Sequence, residues 1–257
     1  MSDQAARRER RITTAIFVTA LLGVAGLVVA AALLAKSPPE PSPRALPTPT
    51  TTMAPVKPVS EPVAPAPAPA GDHISASWLS DVSRQTGIGT VALEAYALAS
   101  VRLATEQPKC HVGWTTLAGI GAIESGHGTN GGSRLRADGT TSRPILGPAL
   151  DGSSGMARIP SDKQSEKWHG DTQWDHAVGP MQFIPSTWRK WGSDGNKDGT
   201  ADPNNVVDAA YAAGRYLCAS GRDMRTGEGW TQAIFSYNHS DDYVRSVVAR
   251  ANSYVTH

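Results

Sequence analysis

Proline is concentrated in one stretch of the chain. This stretch cannot fold compactly, and it precedes a part of the chain that can. Residues 37–70 hold twelve of the nineteen prolines, many of them alternating with alanine. Such a segment cannot bury a core and prefers the extended polyproline II conformation, which rises about 3.1 Å per residue. We therefore predict a disordered Pro/Ala-rich linker over residues 36–70 and a folded domain over residues 71–257.

An uncharged apolar segment precedes this linker. Residues 12–35 contain no charged side chain, and four arginines lie within the first eleven residues. At about 1.5 Å per residue, a helix of this length covers roughly 36 Å, enough to cross a hydrocarbon core of about 30 Å. The preceding arginines orient residues 1–11 to the cytoplasm. We predict a single-pass anchor with everything after Lys36 outside; a signal peptide cleaved near 29–31, giving a secreted form, is the alternative.

Charge and cysteine content agree with an exterior location. The net charge of +1 gives no basic field for nucleic acid. The two cysteines, Cys110 and Cys218, both follow the predicted anchor, and in an oxidising compartment such a pair predicts one disulfide. Closing a loop of this length stabilises a fold by about 4–5 kcal/mol in the chain-entropy model. The histidines form no metal-ligand spacing, so zinc is not expected.

The folded domain is predicted to be all-α. Apolar periodicity and helix stop signals predict helices over residues 74–87, 91–106, 115–125, 206–220, 231–237 and 240–254. A further helix is predicted to start at Pro185 and Ser186. Strand alternation is almost absent, and residues 126–175 are rich in Gly, Ser, Asp and Arg. This stretch is therefore predicted to be one long, mostly irregular loop, which in a compact domain is typically functional or disordered.

Glu124 is the first candidate catalytic residue. It lies near the end of the apolar helix predicted over 115–125 and is followed by a glycine-rich stretch. The negative end of the helix dipole and apolar neighbours both disfavour an ionised carboxylate, so both raise its pKa. A carboxyl that stays protonated near neutral pH is what general acid catalysis of glycosidic cleavage needs. A surface glutamate before a glycine cap is the alternative.

Two later segments combine amides, aromatic side chains and turn residues. Residues 179–188 read Gly-Pro-Met-Gln-Phe-Ile-Pro-Ser-Thr-Trp, and residues 235–243 read Phe-Ser-Tyr-Asn-His-Ser-Asp-Asp-Tyr. Amides and aromatic faces suit the recognition of sugar hydroxyl and acetamido groups. Together with Glu124-Ser125 and residues 202–217, these segments resemble the membrane-bound lytic murein transglycosylase B family, whose catalytic domain is lysozyme-like.

The resemblance implies a cleft and a chemistry. Glu124 would be the sole acid/base catalyst, and the substrate would be contacted by Ser125, Gln182, Phe183, Tyr237, Asn238 and Tyr243. The reaction would cleave the bond between N-acetylmuramic acid (MurNAc) and N-acetylglucosamine (GlcNAc) in peptidoglycan and form a 1,6-anhydro ring, with no catalytic cofactor. The loop between Glu124 and Gly179 does not follow the family's pattern, so no sugar contact is carried over to it.

Two other functions stay open. A hydrolytic muramidase would use a second carboxylate about 5–9.5 Å from the first, and Asp171 and Asp175 are the candidates. A non-catalytic wall-binding module would keep the cleft without turnover. His239 is interpreted as structural, because it has no partner pattern for general-base use.

A possible calcium loop follows the central motif. Residues 194–200 read Asp-Gly-Asn-Lys-Asp-Gly-Thr, which reproduces the first half of an EF-hand loop. The predicted ligands are Asp194, Asn196, Asp198, Thr200 and Asp208. Asp208 is included because position 12 of the loop is Asn205, and longer loops in the related family take their last carboxylate from the next helix. An ion here would be structural; a surface turn without an ion is the alternative.

Overall fold

The computed structural model describes residues 73–219 and 221–255. The predicted tail, anchor and linker lie outside the described residues. Within the described part, the chain forms eight α-helices and two short strands, so the domain is mainly helical as predicted. The elements are α1 (Ala76–Thr86), α2 (Thr90–Glu106), α3 (Trp114–Ser125), β1 (Leu146–Ala149), α4 (Glu166–His169), β2 (His176–Val178), α5 (Pro185–Trp191), α6 (Val206–Cys218), α7 (Gly227–Tyr237) and α8 (Asp241–Ser253).

The helix ends coincide with capping residues. The hydroxyls of Ser75, Thr226 and Ser240 accept hydrogen bonds from amides in the first turns of α1, α7 and α8. Gly87 and Gly126 end α1 and α3 in the left-handed conformation, with φ of 72° and 57°. Such caps satisfy amides and carbonyls that have no partner inside the helix. The predicted ends of the longer helices are therefore correct to within a few residues.

Helix α3 lies at the centre of the domain and is buried on nearly all sides. It packs against α2 and α8, while α2 also packs against α6. Close packing depends on two glycines. A Cβ at Gly119 would lie 3.0 Å from the Val247 carbonyl oxygen of α8, and a Cβ at Gly121 would lie 2.1 Å from the Tyr96 hydroxyl of α2. A helix that is apolar all round is expected to be a core helix.

The long loop is mostly irregular, as predicted, but it contributes two short strands that the all-α prediction did not include. Strands β1 and β2 pair antiparallel, with Leu146 opposite Val178 and Ala149 opposite His176. Backbone hydrogen bonds also join residues 150, 159 and 175, and the short α4 lies between the last two. The strands have only four and three residues, so they leave no alternation long enough to be recognised in a sequence.

The predicted disulfide is confirmed. Cys110 and Cys218 are bonded, with their Cα atoms 5.4 Å apart. The bond joins the segment between α2 and α3 to the end of α6, over a sequence separation of 108 residues. The Met224 amide also donates to the Cys110 carbonyl.

In the part of the chain that the structure describes, no single helix has both the length and the apolar character needed to cross a membrane. Helices α1 and α2 reach that length and apolar character only when they are taken together, and they are bent by 115° at their junction.

Candidate active site

A cleft of about 530 Å³ opens beside the carboxyl-terminal end of α3. Its wall is lined by Glu124, Pro148, Leu150, Met156, Ala157, Ala177, Gln182, Phe183, Ile184, Thr187, Tyr216, Tyr237, Asn238 and His239. Of these described residues, Glu124 is the only acidic one, and none is lysine or arginine. The lining therefore combines apolar side chains with carboxyl, amide and tyrosine groups.

Glu124 lies in the last turn of α3 with its side chain partly buried. Burial raises the pKa of its carboxyl from 4.5 to about 7. The Tyr243 hydroxyl donates a hydrogen bond of 2.5 Å to Glu124 Oε1, which works in the opposite direction and lowers the pKa. Since burial dominates, a large fraction of this carboxyl holds its proton near neutral pH, as the sequence predicted.

Ser125 does not reach the cleft, although the sequence predicts a substrate contact. Its side chain is fully buried, and its hydroxyl donates to the Pro180 carbonyl oxygen at 2.6 Å. The Ser125 hydroxyl oxygen in turn accepts a hydrogen bond from the Gly128 amide at 2.8 Å. Ser125 therefore ties the end of α3, where Glu124 lies, to the turn that carries Gln182.

That turn holds Gln182 in a conformation that few residues adopt. The φ angle of Gln182 is 48°, in the left-handed region. Its Nε2 donates to the carbonyl oxygens of Ile145 and Gly179, at 3.2 and 2.9 Å. These bonds fix the amide plane and leave Oε1 as an acceptor with no protein partner among the described residues. A Cβ at Gly179 would lie 1.8 Å from the Pro203 carbonyl oxygen, so glycine is required there.

Aromatic side chains form the floor behind Glu124. The Tyr237 hydroxyl donates to the Met181 carbonyl oxygen at 2.7 Å, and burial raises the pKa of Tyr237 well above 10. Its ring is parallel to that of Tyr243, at 6.5 Å, and edge-on to that of Phe183, at 6.0 Å. Tyr243 is buried and, among the described residues, is not part of the cleft wall. It therefore acts on Glu124 rather than on a ligand.

Two exposed residues between α7 and α8 form the rim. Asn238 and His239 both line the cleft, as does Thr187 from α5. The sequence predicted Asn238 from the family resemblance but assigned His239 a structural role. The structure instead leaves His239 facing the cleft. The apolar wall formed by Pro148, Leu150, Met156 and Ala157 was not predicted, because its position depends on how the long loop folds.

The two candidate second carboxylates lie away from the cleft. Asp175 is buried and pairs with Nε2 of His169 at 3.2 Å. Asp171 accepts hydrogen bonds from the amides of Gln173 and Trp174 and pairs with His176, which together lower its pKa to about 2. Neither lines the cleft. Both carboxylates therefore hold the loop together.

The predicted calcium loop closes through its own backbone. Asp194 accepts hydrogen bonds from the amides of Asp198 and Gly199, and Asp198 accepts one from the Thr200 amide. Asn196 donates its side-chain amide to Asp198. These contacts are those of an Asx-rich turn.

Asp208 is fully buried below this loop. Its Oδ1 accepts hydrogen bonds from the amides of Gly195 and Asn196, and its Oδ2 accepts one from Asp202. Both oxygens are therefore satisfied by backbone donors, and desolvation raises the pKa of the carboxyl. Within the described residues, no three His, Cys, Asp or Glu side chains form a group that could hold a metal ion. Calcium binding stays a prediction from the sequence.

Comparison with known proteins supports the family resemblance over part of the chain. Residues 159–234, less than a third of the sequence, match the family model of the transglycosylase SLT domain. This match bears out the resemblance to lytic transglycosylases. It includes the Gln182 turn and ends before Tyr237, and Glu124 precedes it. The crystal structure of SltB3 from Pseudomonas aeruginosa in complex with NAG-anhNAM-pentapeptide is 15% identical, covering 76% of this chain and 68% of its own, with a TM-score of 0.37. No curated protein matches the chain.

The roles of Asp208 and Asp198 can be separated by melting experiments. We expect Asp208→Asn to lower the melting temperature equally in calcium and in chelator, because it disturbs buried backbone hydrogen bonds worth about 1–3 kcal/mol. Calcium binding predicts that the wild type melts higher in calcium than in chelator and that Asp198→Asn removes the difference. Wild-type melting curves that coincide in both buffers would contradict the prediction of calcium binding.

The raised pKa of Glu124 predicts a pH-dependent stability. The folded state favours the protonated carboxyl, so this contribution is complete below about pH 4.5 and is lost as the pH rises through about 7. Glu124→Gln, which is neutral at every pH, is therefore expected to be more stable than the wild type at about pH 8, by about 1–3 kcal/mol, and equally stable at about pH 4.

Urea unfolding at both pH values measures this difference, with the exposed Glu228→Gln as the matched control. An effect of Glu124→Gln that is the same at both pH values would contradict a neutral buried carboxyl.

Proposed function

We propose that the folded domain is a lytic transglycosylase that cleaves peptidoglycan glycan strands, with Glu124 as its single acid/base. The observation that carries the proposal is a carboxyl with a pKa of about 7 in a cleft whose described lining holds no second acidic residue. The match of residues 159–234 to the transglycosylase SLT domain supports the same reaction class.

In the first step, Glu124 donates its proton to the glycosidic oxygen between MurNAc and GlcNAc. The bond from C1 of MurNAc to that oxygen breaks, and GlcNAc leaves with a free 4-hydroxyl. The positive charge that develops at C1 is shielded by the carbonyl oxygen of the sugar's own 2-acetamido group. The aromatic floor excludes water from Glu124, which keeps the carboxyl neutral before this step.

In the second step, the Glu124 carboxylate takes the proton of the C6 hydroxyl of the same MurNAc. O6 then bonds to C1 and displaces the acetamido oxygen, which closes the 1,6-anhydro ring. No water is consumed, and Glu124 regains its proton. The hydrogen bond from Tyr243 stabilises the carboxylate between the two steps, because a bond to the charged form favours it. One carboxyl therefore completes the cycle.

The remaining lining residues suit a neutral amino sugar. Gln182 offers Oε1 as an acceptor, and Asn238 offers an amide at the rim. Phe183 and Tyr237 supply aromatic surface next to these groups. Because Gln182 is held by two backbone carbonyls, its acceptor is oriented before a ligand binds, which lowers the entropy lost on binding.

A hydrolytic muramidase is the second candidate, and the placement of Asp171 and Asp175 weighs against it. A hydrolase with two carboxylates needs the second one facing the scissile bond. Asp175 is buried against His169, and Asp171 is engaged by two amides and His176.

The proposed place of action is outside the cytoplasmic membrane, and this rests on the sequence. Residues 12–35 would anchor the chain, and residues 36–70 would hold the domain at up to roughly 100 Å from the lipid, within reach of a polymer layer. A disulfide fits an oxidising compartment.

Product analysis tests the reaction. We expect purified peptidoglycan digested with the wild-type protein to release fragments that end in 1,6-anhydro-MurNAc, identified by mass. Glu124→Gln is expected to reduce release by about 10²- to 10⁴-fold while leaving binding intact, and Glu228→Gln is expected to behave as the wild type. Products with reducing ends would identify a hydrolase instead. Binding of peptidoglycan without release of fragments would identify a non-catalytic wall-binding module.

The hydrogen bond from Tyr243 predicts a shift in the pH profile. Removing it in Tyr243→Phe withdraws a stabilising contact from the ionised carboxyl, so the pKa of Glu124 rises above about 7. The acid must be protonated in the free enzyme, and the alkaline limb of kcat/KM should therefore move up by about one pH unit.

Tyr211→Phe provides the matched control, since it removes a tyrosine–glutamate hydrogen bond, to Glu106, away from the cleft. An alkaline limb that stays in place or moves to lower pH in Tyr243→Phe would show that the bond does not tune the acid.

A further inference from the structure

His239 is a polar side chain of the cleft rim that makes no hydrogen bond within the described part of the protein. It lies between α7 and α8, is exposed, and lines the cleft next to Asn238. Its ring is edge-on to that of Phe235, with centroids 5.3 Å apart, which orients the imidazole. Among the described residues, neither ring nitrogen has a hydrogen-bond partner. A ligand in the cleft can therefore use both of them.

Most other donors of the cleft wall are already occupied. The hydroxyls of Tyr216 and Tyr237 donate to the carbonyl oxygens of Ser236 and Met181. Nε2 of Gln182 donates to two backbone carbonyls. The donors left for a ligand are Asn238, Thr187, His239 and, when it is protonated, Glu124.

His239 is also the only side chain of the described cleft lining that can carry a positive charge. No lysine or arginine lines the cleft, and the one acidic side chain, Glu124, has a pKa of about 7. The acidic residues that follow it in the chain are Asp241 and Asp242, in the first turn of α8. A protonated imidazole donates through both nitrogens and binds carboxylates with charge-assisted hydrogen bonds.

The substrate class of the proposed function carries one acidic group on the glycan itself. Each MurNAc has a lactyl carboxyl, which is anionic when free and becomes a neutral amide when a stem peptide is attached to it. A cleft with one group able to become cationic therefore distinguishes these two forms. Hydrogen bonds to charged groups contribute more than those between neutral groups.

We propose that His239 binds the free lactyl carboxylate of MurNAc, so that the cleft selects glycan strands without stem peptides. This inference rests on the proposed function for its substrate class. It places the reaction after an amide hydrolysis that removes the peptide from the lactyl group, since that class of reaction must supply the preferred strand. The apolar wall of Leu150, Met156 and Ala157 offers no charge to a peptide stem.

Binding in the absence of turnover tests the selection. The probes are stem-free glycan strands, the same strands with every lactyl carboxyl converted to a primary amide, and strands that carry stem peptides. Affinity is measured by calorimetric titration with the Glu124→Gln protein. We expect the carboxylate form to bind roughly tenfold more tightly than either amide form.

His239→Gln in the same background is expected to reduce this ratio to about one, because glutamine donates a hydrogen bond without a charge. His239→Arg should retain the preference. The exposed His73→Gln, which does not line the cleft, is the matched control and should leave the ratio unchanged. His239 is exposed, so all variants should keep the wild-type melting temperature.

Equal affinity for carboxylate and amide strands in the Glu124→Gln protein, or a preference that persists in His239→Gln, would overturn the selection. Tighter binding of peptide-bearing strands would overturn it as well. The binding results do not test the proposed reaction. A wild-type protein that releases no fragments from peptidoglycan would contradict that reaction, even if the binding preference and its loss in His239→Gln were both observed.

Discussion

The candidate site depends on the hydroxyl of Ser125. It joins two segments that are 55 residues apart in sequence by donating to the Pro180 carbonyl, and it accepts the Gly128 amide on its other side. A buried hydroxyl with these partners is costly to misplace, because each lost bond leaves an unsatisfied backbone group. The end of α3 and the turn that carries Gln182 are therefore held at one separation. Glu124 and Gln182 face the same cleft because of that bond.

The same geometry explains how one carboxyl can be kept neutral without being isolated. Glu124 lies in the last turn of a buried helix, where desolvation raises its pKa, and Tyr243 partly offsets this with a single hydrogen bond. Desolvation without that bond would raise the pKa of the carboxyl further and disfavour the carboxylate that the second step of the proposed reaction needs. The hydrogen bond without burial would give an ordinary surface glutamate. A pKa near 7 results from the opposition of the two effects.

The sequence predicted the parts of this structure that depend on local chemistry. The helix ends follow from caps such as Ser75 and Gly126, which act within a few residues. Gln182 and Asn238 were found because they belong to compact motifs. Ser125 was assigned to the substrate because a motif does not reveal which of its side chains points inward. Asp171 and Asp175 were candidates for the same reason, since their partners His176 and His169 become visible only when the loop is folded.

The cleft wall was beyond sequence reasoning for a further physical reason. Met156 and Ala157 reach it through a loop whose hydrogen bonds join residues 150, 159 and 175, and no periodic pattern marks such pairings. The helices fix where Glu124 lies, and the loop decides what shape and charge a ligand meets there. Because this wall is apolar, the ionic character of the cleft is left to Glu124 and His239. On the proposed function, selection between charged and neutral substrates would therefore fall to the residues at the break between α7 and α8.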